Sequence, residues 1–371
     1  MKPDFAPYVR SQALSLAKHG LEVTVLYSAP YSWKWVFEQR RLRFGKRECR
    51  RENFREILFF LPKFHLKPVD SMVRGIIGRR LIRQLDRGGY RPDVIHVHTY
   101  ESGPLALWFR DRINAPVIIT EHYTGFARNI LSKWELNLAR RCYESADSRV
   151  AVSRTFAKFL ELKTGLAFRV LPNFIDTHFF SPGNMPKKAS YDFLSVGHLL
   201  PKKNHAMLIE AFSRLSPRER RLKLGIIGEG PMRNKLVNLV KSLELKSQVD
   251  FLGYRDATEV RNLLRRSRIY CMPSSYETFG IAVIEAMAVG IPAVATRCGG
   301  PEENVINGFN GIVAQLNVRA YAAALESSLE HDWNRDAIRQ RAVALYSEAV
   351  VISELKTIYN EAIEARQSST E

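Results

Sequence analysis

Two glutamates eight residues apart, Glu277 and Glu285, bracket the turn Thr278-Phe279-Gly280. An ionised carboxylate only accepts hydrogen bonds, so such a pair suits a partner rich in hydroxyl groups. The apolar stretch Ile269-Tyr270-Cys271-Met272 before it reads as a buried strand. The stretch after it, residues 281–288, reads as a helix ended by Gly290 with Pro292 just beyond. A strand, a polar loop, a glycine and a helix start aim free backbone N–H groups and a positive dipole end at one point, which suits a phosphate. The two carboxylates would repel a bare phosphate. They are therefore read as meeting sugar or ribose hydroxyls carried by the same ligand.

Around this unit the chain alternates strands and helices. Helical patterns cover residues 9–18, 103–112 and 131–146, with another beginning at Thr155. Strand patterns cover 22–26, 93–98, 116–120, 149–153 and 169–173, and a second alternating series starts at Tyr191. This spacing predicts doubly wound parallel sheets, with ligands beyond the carboxyl ends of the strands. The 371 residues predict two domains. Residues 1–178 form the first, 179–189 a linker rich in turn formers, and 190–349 the second.

The motifs, taken in order, resemble one family. Ser195-Val196-Gly197-His198-Leu199-Leu200-Pro201-Lys202-Lys203-Asn204-His205 is similar to its strand-to-helix donor loop, and Ile226-Ile227-Gly228-Glu229-Gly230-Pro231 to its second glycine turn. Val249-Asp250-Phe251-Leu252-Gly253 matches the next strand. Gly299-Gly300-Pro301-Glu302-Glu303 and Asn307-Gly308-Phe309-Asn310-Gly311 match its closing loops. With the E-x7-E pair they identify the chain as resembling the retaining glycosyltransferases of the GT-B fold, family 4, over roughly residues 5–365. The resemblance implies an α/β fold of two Rossmann-like domains facing a central cleft. It also implies that the C-terminal helix, 350–371, packs back on the first domain.

It further implies transfer of a sugar from a nucleotide-diphosphate sugar to an acceptor hydroxyl, in synthesis of bacterial cell-surface polysaccharide or lipid-linked glycan. The alternatives are a degenerate sugar-nucleotide-binding subunit without transfer activity and a GT-B epimerase. A phosphorylase is disfavoured because no lysine sits in a recognisable pyridoxal context. By the resemblance Lys203 holds the diphosphate, and Gly197 and His198 belong to the donor loop. Gly280 and Ile281 offer backbone N–H groups, with Phe279 beside them. Glu285 takes the ribose hydroxyls, and Glu277 the donor sugar. His122, in Thr120-Glu121-His122-Tyr123, matches the histidine near the reacting carbon. His198 departs from the family, where arginine is commoner. Arginine gives a permanent bidentate phosphate contact, which histidine does not. Lys202 is read as a surface charge. His96 and His98 have a ligand-like spacing but no third partner, so they are read as structural. No Asp-x-Asp occurs, so no catalytic metal and no cofactor are expected, the nucleotide sugar being a co-substrate.

The net charge of +18 is uneven. Residues 1–170 hold 31 Lys and Arg against 16 Asp and Glu, and the rest 25 against 22. One dense run spans residues 40–55. A second, Arg74, Arg79, Arg80 and Arg83 with Ile76, Ile77, Leu81 and Ile82 between, has the pattern of a basic amphipathic helix. No nucleic-acid module is present, and an anionic membrane surface is the favoured partner. Four scattered cysteines, no spanning segment and no signal peptide point to a cytoplasmic enzyme, peripheral on the inner face of the cell membrane. The family opens with a strand and a glycine loop, whereas this chain reaches its first helix after about seven residues. The first strand is therefore expected to be missing, leaving Val23-Thr24-Val25-Leu26 with an open edge.

Overall fold

The computed structural model describes residues 7–31, 45–64, 66–184, 189–215 and 222–368. Arg40, Arg41 and Arg43 of the dense basic run, and residues 185–188 of the expected linker, lie outside the described residues. The chain divides into two compact units. One comprises residues up to Glu121 with Lys133–Arg149 and Ile352–Glu371; the other comprises His122–Ser132 and Val150–Val351.

In the first unit, helix α1 (Pro7–Lys18) leads into strand β1 (Val23–Tyr31), followed by β2 (Gly45–Arg51) and β3 (Phe54–Pro62). β3 pairs in parallel with β1 and antiparallel with β2, so among the described residues β1 lies at one edge of a three-stranded sheet. The β2–β3 hairpin was not anticipated. Its basic first arm shows no apolar alternation, because β2 exposes nearly all its residues, whereas β3 buries Phe54, Ile57, Phe60 and Leu61. Helix α2 (Lys67–Arg87) lays Leu81 and Leu85 on Ile57, with Leu26, Phe59, Ile77 and Tyr90 around them.

Strands β4 (Ile95–His98) and β5 (Val117–Glu121) pair in parallel and flank helix α3 (Gly103–Ile113); helix α4 (Lys133–Ser145) follows. His96 has a hydroxyl against each ring nitrogen, Tyr359 at 2.7 Å and Thr120 at 2.8 Å. Tyr359 belongs to the last helix, whose part in this unit is also tied by Lys356 to the His19 carbonyl and by Arg366 to Asn114 and Asp147. Among the described residues no group of three or more His, Cys, Asp or Glu is placed to hold a metal ion.

The second unit opens with strand β6 (Ser148–Ala151), whose last residues belong here, helix α5 (Arg154–Thr164) and strand β7 (Arg169–Val170). The strand expected at 169–173 is thus only two residues long. The main sheet has six parallel strands: β8 (Tyr191–Val196), β9 (Leu224–Ile227), β10 (Val249–Gly253), β11 (Ser267–Met272), β12 (Ala293–Thr296) and β13 (Gly311–Ala314). Their order is β10-β9-β8-β11-β12-β13. Chain order reverses direction between β8 and β11, and the crevice at such a reversal is where open α/β sheets bind ligands. The sheet is buried through Phe193, Ile226, Ile269, Cys271 and Val294, which pack with Leu208 and Leu325 from the covering helices.

Of the four cysteines Cys142, Cys271 and Cys298 are buried, Cys49 is exposed, and all are free. No helix among the described residues is long and apolar enough to cross a membrane.

Candidate active site

The loops that leave β8 and β11 meet at the reversal of the sheet. After β8 the chain passes through Gly197 and His198, makes a single 3-10 turn at Pro201–Lys203, and enters helix α6 (His205–Phe212) through Asn204 at φ 52°. The second glycine turn lies directly against this loop. A Cβ on Gly228 would stand 2.0 Å from the Gly197 carbonyl oxygen, and one on Gly230 2.5 Å from that of Leu199. No side chain fits there, so the glycines allow backbone to meet backbone: Gly197 N–H bonds to Ile227 O and Leu199 N–H to Glu229 O.

The β11 loop is fixed from two sides. Ser275 N–H donates to the Lys202 carbonyl at 2.8 Å, coupling it to the β8 loop. Glu277 N–H donates to Cys298 O, and Gly300 N–H to Glu277 O, both at 2.9 Å. A Cβ on Gly300 would lie 2.4 Å from Phe279 Cα, and one on Gly299 2.6 Å from Glu277 O. The glycine pair therefore lets the closing loop press against the backbone of residues 277–279.

This framework brings two of the expected site residues together. Lys203 Nζ lies 2.5 Å from Glu277 Oε1, and Ser274 Oγ donates to the same oxygen at 2.9 Å. Lys203 is 21% exposed and Glu277 12%, so the pair is largely but not wholly buried. Ser274 escaped sequence reasoning because a serine in a turn carries no distinguishing signal. Lys202 differs from expectation. It is half-buried, and burial lowers its amine's pKa while the Glu277 charge opposes that. His198 is exposed, whereas His205 is 3% exposed, with burial and then Lys203 pulling its pKa to about 4.

Beyond helices α7 (Arg233–Ser242) and α8 (Ala257–Arg265), Gly280, at φ 87°, enters helix α9 (Ile281–Ala288) with no side-chain cap. Its first N–H groups lack intrahelical acceptors by helix geometry, so Ile281 stands where an anion would be stabilised. The Phe279 ring points elsewhere. It is 3% exposed and packs edge-on against Tyr346 at 5.7 Å, while Asn304 Nδ2 donates to the Phe279 carbonyl. Any ligand contact from Phe279 would come from its backbone. Glu285 sits one turn into α9. Burial pushes its carboxyl up to about 7, and the residue still keeps some accessible surface. Tyr270 on β11 feels that carboxylate.

His122 lies in the same unit. Its carbonyl accepts from Thr278 Oγ1 at 3.4 Å, next to Glu277 in sequence, and burial holds its imidazole down at about 4. Ser153 Oγ donates to the Thr278 carbonyl at 2.7 Å. The carboxylate of Glu303 accepts from the backbone N–H groups of Arg154 and Thr155 at the start of α5. Ser153 thus also fastens the E-x7-E loop, and Glu303 ties residues 301–304 to the start of α5, which only the fold reveals.

Residues 6–179 match the family described as Glycosyltransferase Family 4, and residues 177–344 the one described as Glycosyl transferases group 1. The chain belongs to glycosyltransferase family 4. An uncharacterized glycosyltransferase of Bacillus subtilis, YqgM, is 27% identical over 75% of this chain and 80% of its own length. The Escherichia coli UDP-Gal:alpha-D-GlcNAc-diphosphoundecaprenol alpha-1,3-galactosyltransferase is 25% identical over 61% of this chain and 63% of its own. Sucrose-phosphate synthase of Thermosynechococcus elongatus aligns with a TM-score of 0.79 at 20% identity, covering 97% of this chain and 93% of that one. The fold of this family 4 glycosyltransferase is therefore GT-B, with parallel-sheet α/β domains.

Proposed function

We propose that the chain is a retaining glycosyltransferase that works without a catalytic metal, moving a sugar from a nucleotide-diphosphate sugar to a hydroxyl of a lipid-linked or cell-surface glycan. The observation that carries this reading is the Lys203–Glu277 pair beside the uncapped start of α9. One cation and a turn of backbone N–H groups provide for a diphosphate, and an adjacent carboxylate provides for sugar hydroxyls. Lys203 and the N–H groups of Gly280 and Ile281 would stabilise charge growing on the departing diphosphate. Glu277 would orient the sugar, and Glu285 would accept from the ribose hydroxyls. His122, kept neutral by burial, would offer a hydrogen bond near the reacting carbon rather than a charge. The departing phosphate would take the acceptor proton, so no further carboxylate nucleophile is needed.

The named acceptor of the E. coli relative supports a lipid-linked substrate. The exposed face of α2 supports work at a membrane surface on the cytoplasmic side. Met72 and Ile76, each 59% exposed, continue into the exposed Arg79, Arg80, Arg83 and Arg87 at helical spacing. Arg74 does not share this face, being paired with Glu101 at 3.2 Å. Arg79 and Arg83 both stack on Trp108, which holds them in place.

The test is incubation with a panel of UDP- and GDP-sugars and a polyprenyl-diphosphate sugar acceptor, with the product's anomeric configuration read by NMR. Transfer with the donor's configuration kept is expected. Inverted product would overturn the retaining assignment, and nucleotide binding without transfer to any acceptor would favour a binding subunit.

A further inference from the structure

Three cations converge on one carboxylate in the first unit. Glu48 Oε1 accepts from Arg50 Nε and from Arg55 Nε, each at 2.8 Å, and Oε2 lies 2.8 Å from Lys46 Nζ. Lys46, Glu48 and Arg50 alternate along β2 and so share one face. Arg55 stands directly opposite Arg50 across the β2–β3 ladder. Like charges placed opposite each other destabilise a sheet, and a single glutamate among three cations leaves an excess of two positive charges. Among the described residues the terminal guanidinium nitrogens of both arginines have no hydrogen-bond partner, since each reaches Glu48 through Nε.

The cluster also has a shape. A cleft of about 230 Å³ is lined by Lys46, Arg50 and Arg55 on one side and by Tyr90 and the end of α2 on the other. Its base holds Ile57, 1% exposed, with Leu81 and Leu85. A second opening of about 170 Å³ shares Arg50, Arg55 and Tyr90. Paired guanidinium groups side by side on a hairpin offer the planar forks that bind tetrahedral anions bidentately.

We propose that Lys46, Arg50 and Arg55, with Tyr90, form a binding site for a phosphoryl group, and that Glu48 occupies it in the absence of that ligand. The ligand is a phosphate ester, either on a lipid headgroup or on a small soluble molecule. The site belongs to the first unit and does not depend on the transferase reading.

The test uses the full chain, titrated calorimetrically with glycerol 1-phosphate at fixed ionic strength and mixed with vesicles of phosphatidylcholine with or without phosphatidic acid. Glu48→Gln removes the internal competitor and tightens phosphate-ester binding several-fold. Arg50→Gln weakens it, and Arg50→Gln with Arg55→Gln weakens it by about tenfold or more, as loss of charge-assisted hydrogen bonds requires. The circular dichroism spectrum and melting temperature of each variant serve as the folding control and stay close to those of the parent. Binding of glycerol 1-phosphate and of phosphatidic acid vesicles, both sensitive to these substitutions, identifies a headgroup site. Binding of the soluble ester alone identifies a free phosphate ester. Absence of both, vesicle binding indifferent to Arg50 and Arg55, or weaker binding by Glu48→Gln overturns the proposal.

Discussion

Lys203 and Glu277, 74 residues apart in sequence, form an ion pair of 2.5 Å at the point where the main sheet reverses direction. Each side chain holds the other in place, and under the proposed function each is expected to meet a different part of the donor. On that reading, donor binding would exchange one ion pair for two new contacts.

Removing either partner should have opposite consequences for the nucleotide. Lys203→Ala should weaken nucleoside-diphosphate binding by roughly 1.5–3 kcal/mol, the worth of a hydrogen bond to a charged group. Glu277→Ala should leave that binding equal or stronger, because it releases the lysine, while transfer falls by roughly a hundredfold or more. Calorimetry and turnover on both variants check this. Wild-type turnover in Glu277→Ala would remove Glu277 from the site.

Nucleotide binding should release a proton near pH 6. Burial raises the Glu285 carboxyl to about 7, so in the free protein it is largely protonated below that pH. Ribose hydroxyls donate to the ionised form and so lower its pKa on binding. Affinity should then climb as pH rises towards 7 and level off above it. Titration at pH 6 in buffers of different ionisation enthalpy measures the released proton, and Glu285→Gln should abolish it. Unchanged proton release in that variant would assign the effect elsewhere.

Gly300→Ala should impair the site without touching any ligand. The new Cβ would sit 2.4 Å from Phe279 Cα and 2.5 Å from Thr278 O, so the loop carrying Glu277 must shift. Overpacking of this kind costs about 1–3 kcal/mol. A lower melting temperature together with reduced transfer is expected. A variant as stable and active as the parent would show that the loop tolerates displacement.

Membrane contact through α2 can be separated from the Arg74–Glu101 ion pair on another face of the helix. Replacing Arg79, Arg80 and Arg83 with Gln should reduce sedimentation with anionic vesicles, at about 1 kcal/mol per charge, and added salt should do the same. Arg74→Gln should instead disturb packing near Glu101 and leave vesicle binding nearly intact. Equal vesicle binding by the triple variant and the parent at low salt would reject the α2 surface.

The sequence by itself determined the parallel α/β architecture, the strand–loop–helix units and most of the candidate donor residues. These depend on local order: apolar runs mark buried strands, glycines mark the turns and spacing places Glu277 and Glu285 around one helix start. The β2–β3 hairpin was illegible because β2 is charged throughout and gains its strand form only by pairing with β3. Only the tertiary structure decided which side chains meet. It set Lys203 on Glu277, added Ser274, drew Lys202 partly inside, turned the Phe279 ring towards Tyr346 and divided Arg74 from the other arginines of α2. The physical reason is that local pattern records whether a residue is buried, while its partner depends on strand order and on how closely two backbones approach. At this site the glycines at 228, 230, 299 and 300 set that approach, and what each lies against is visible only once the chain is folded.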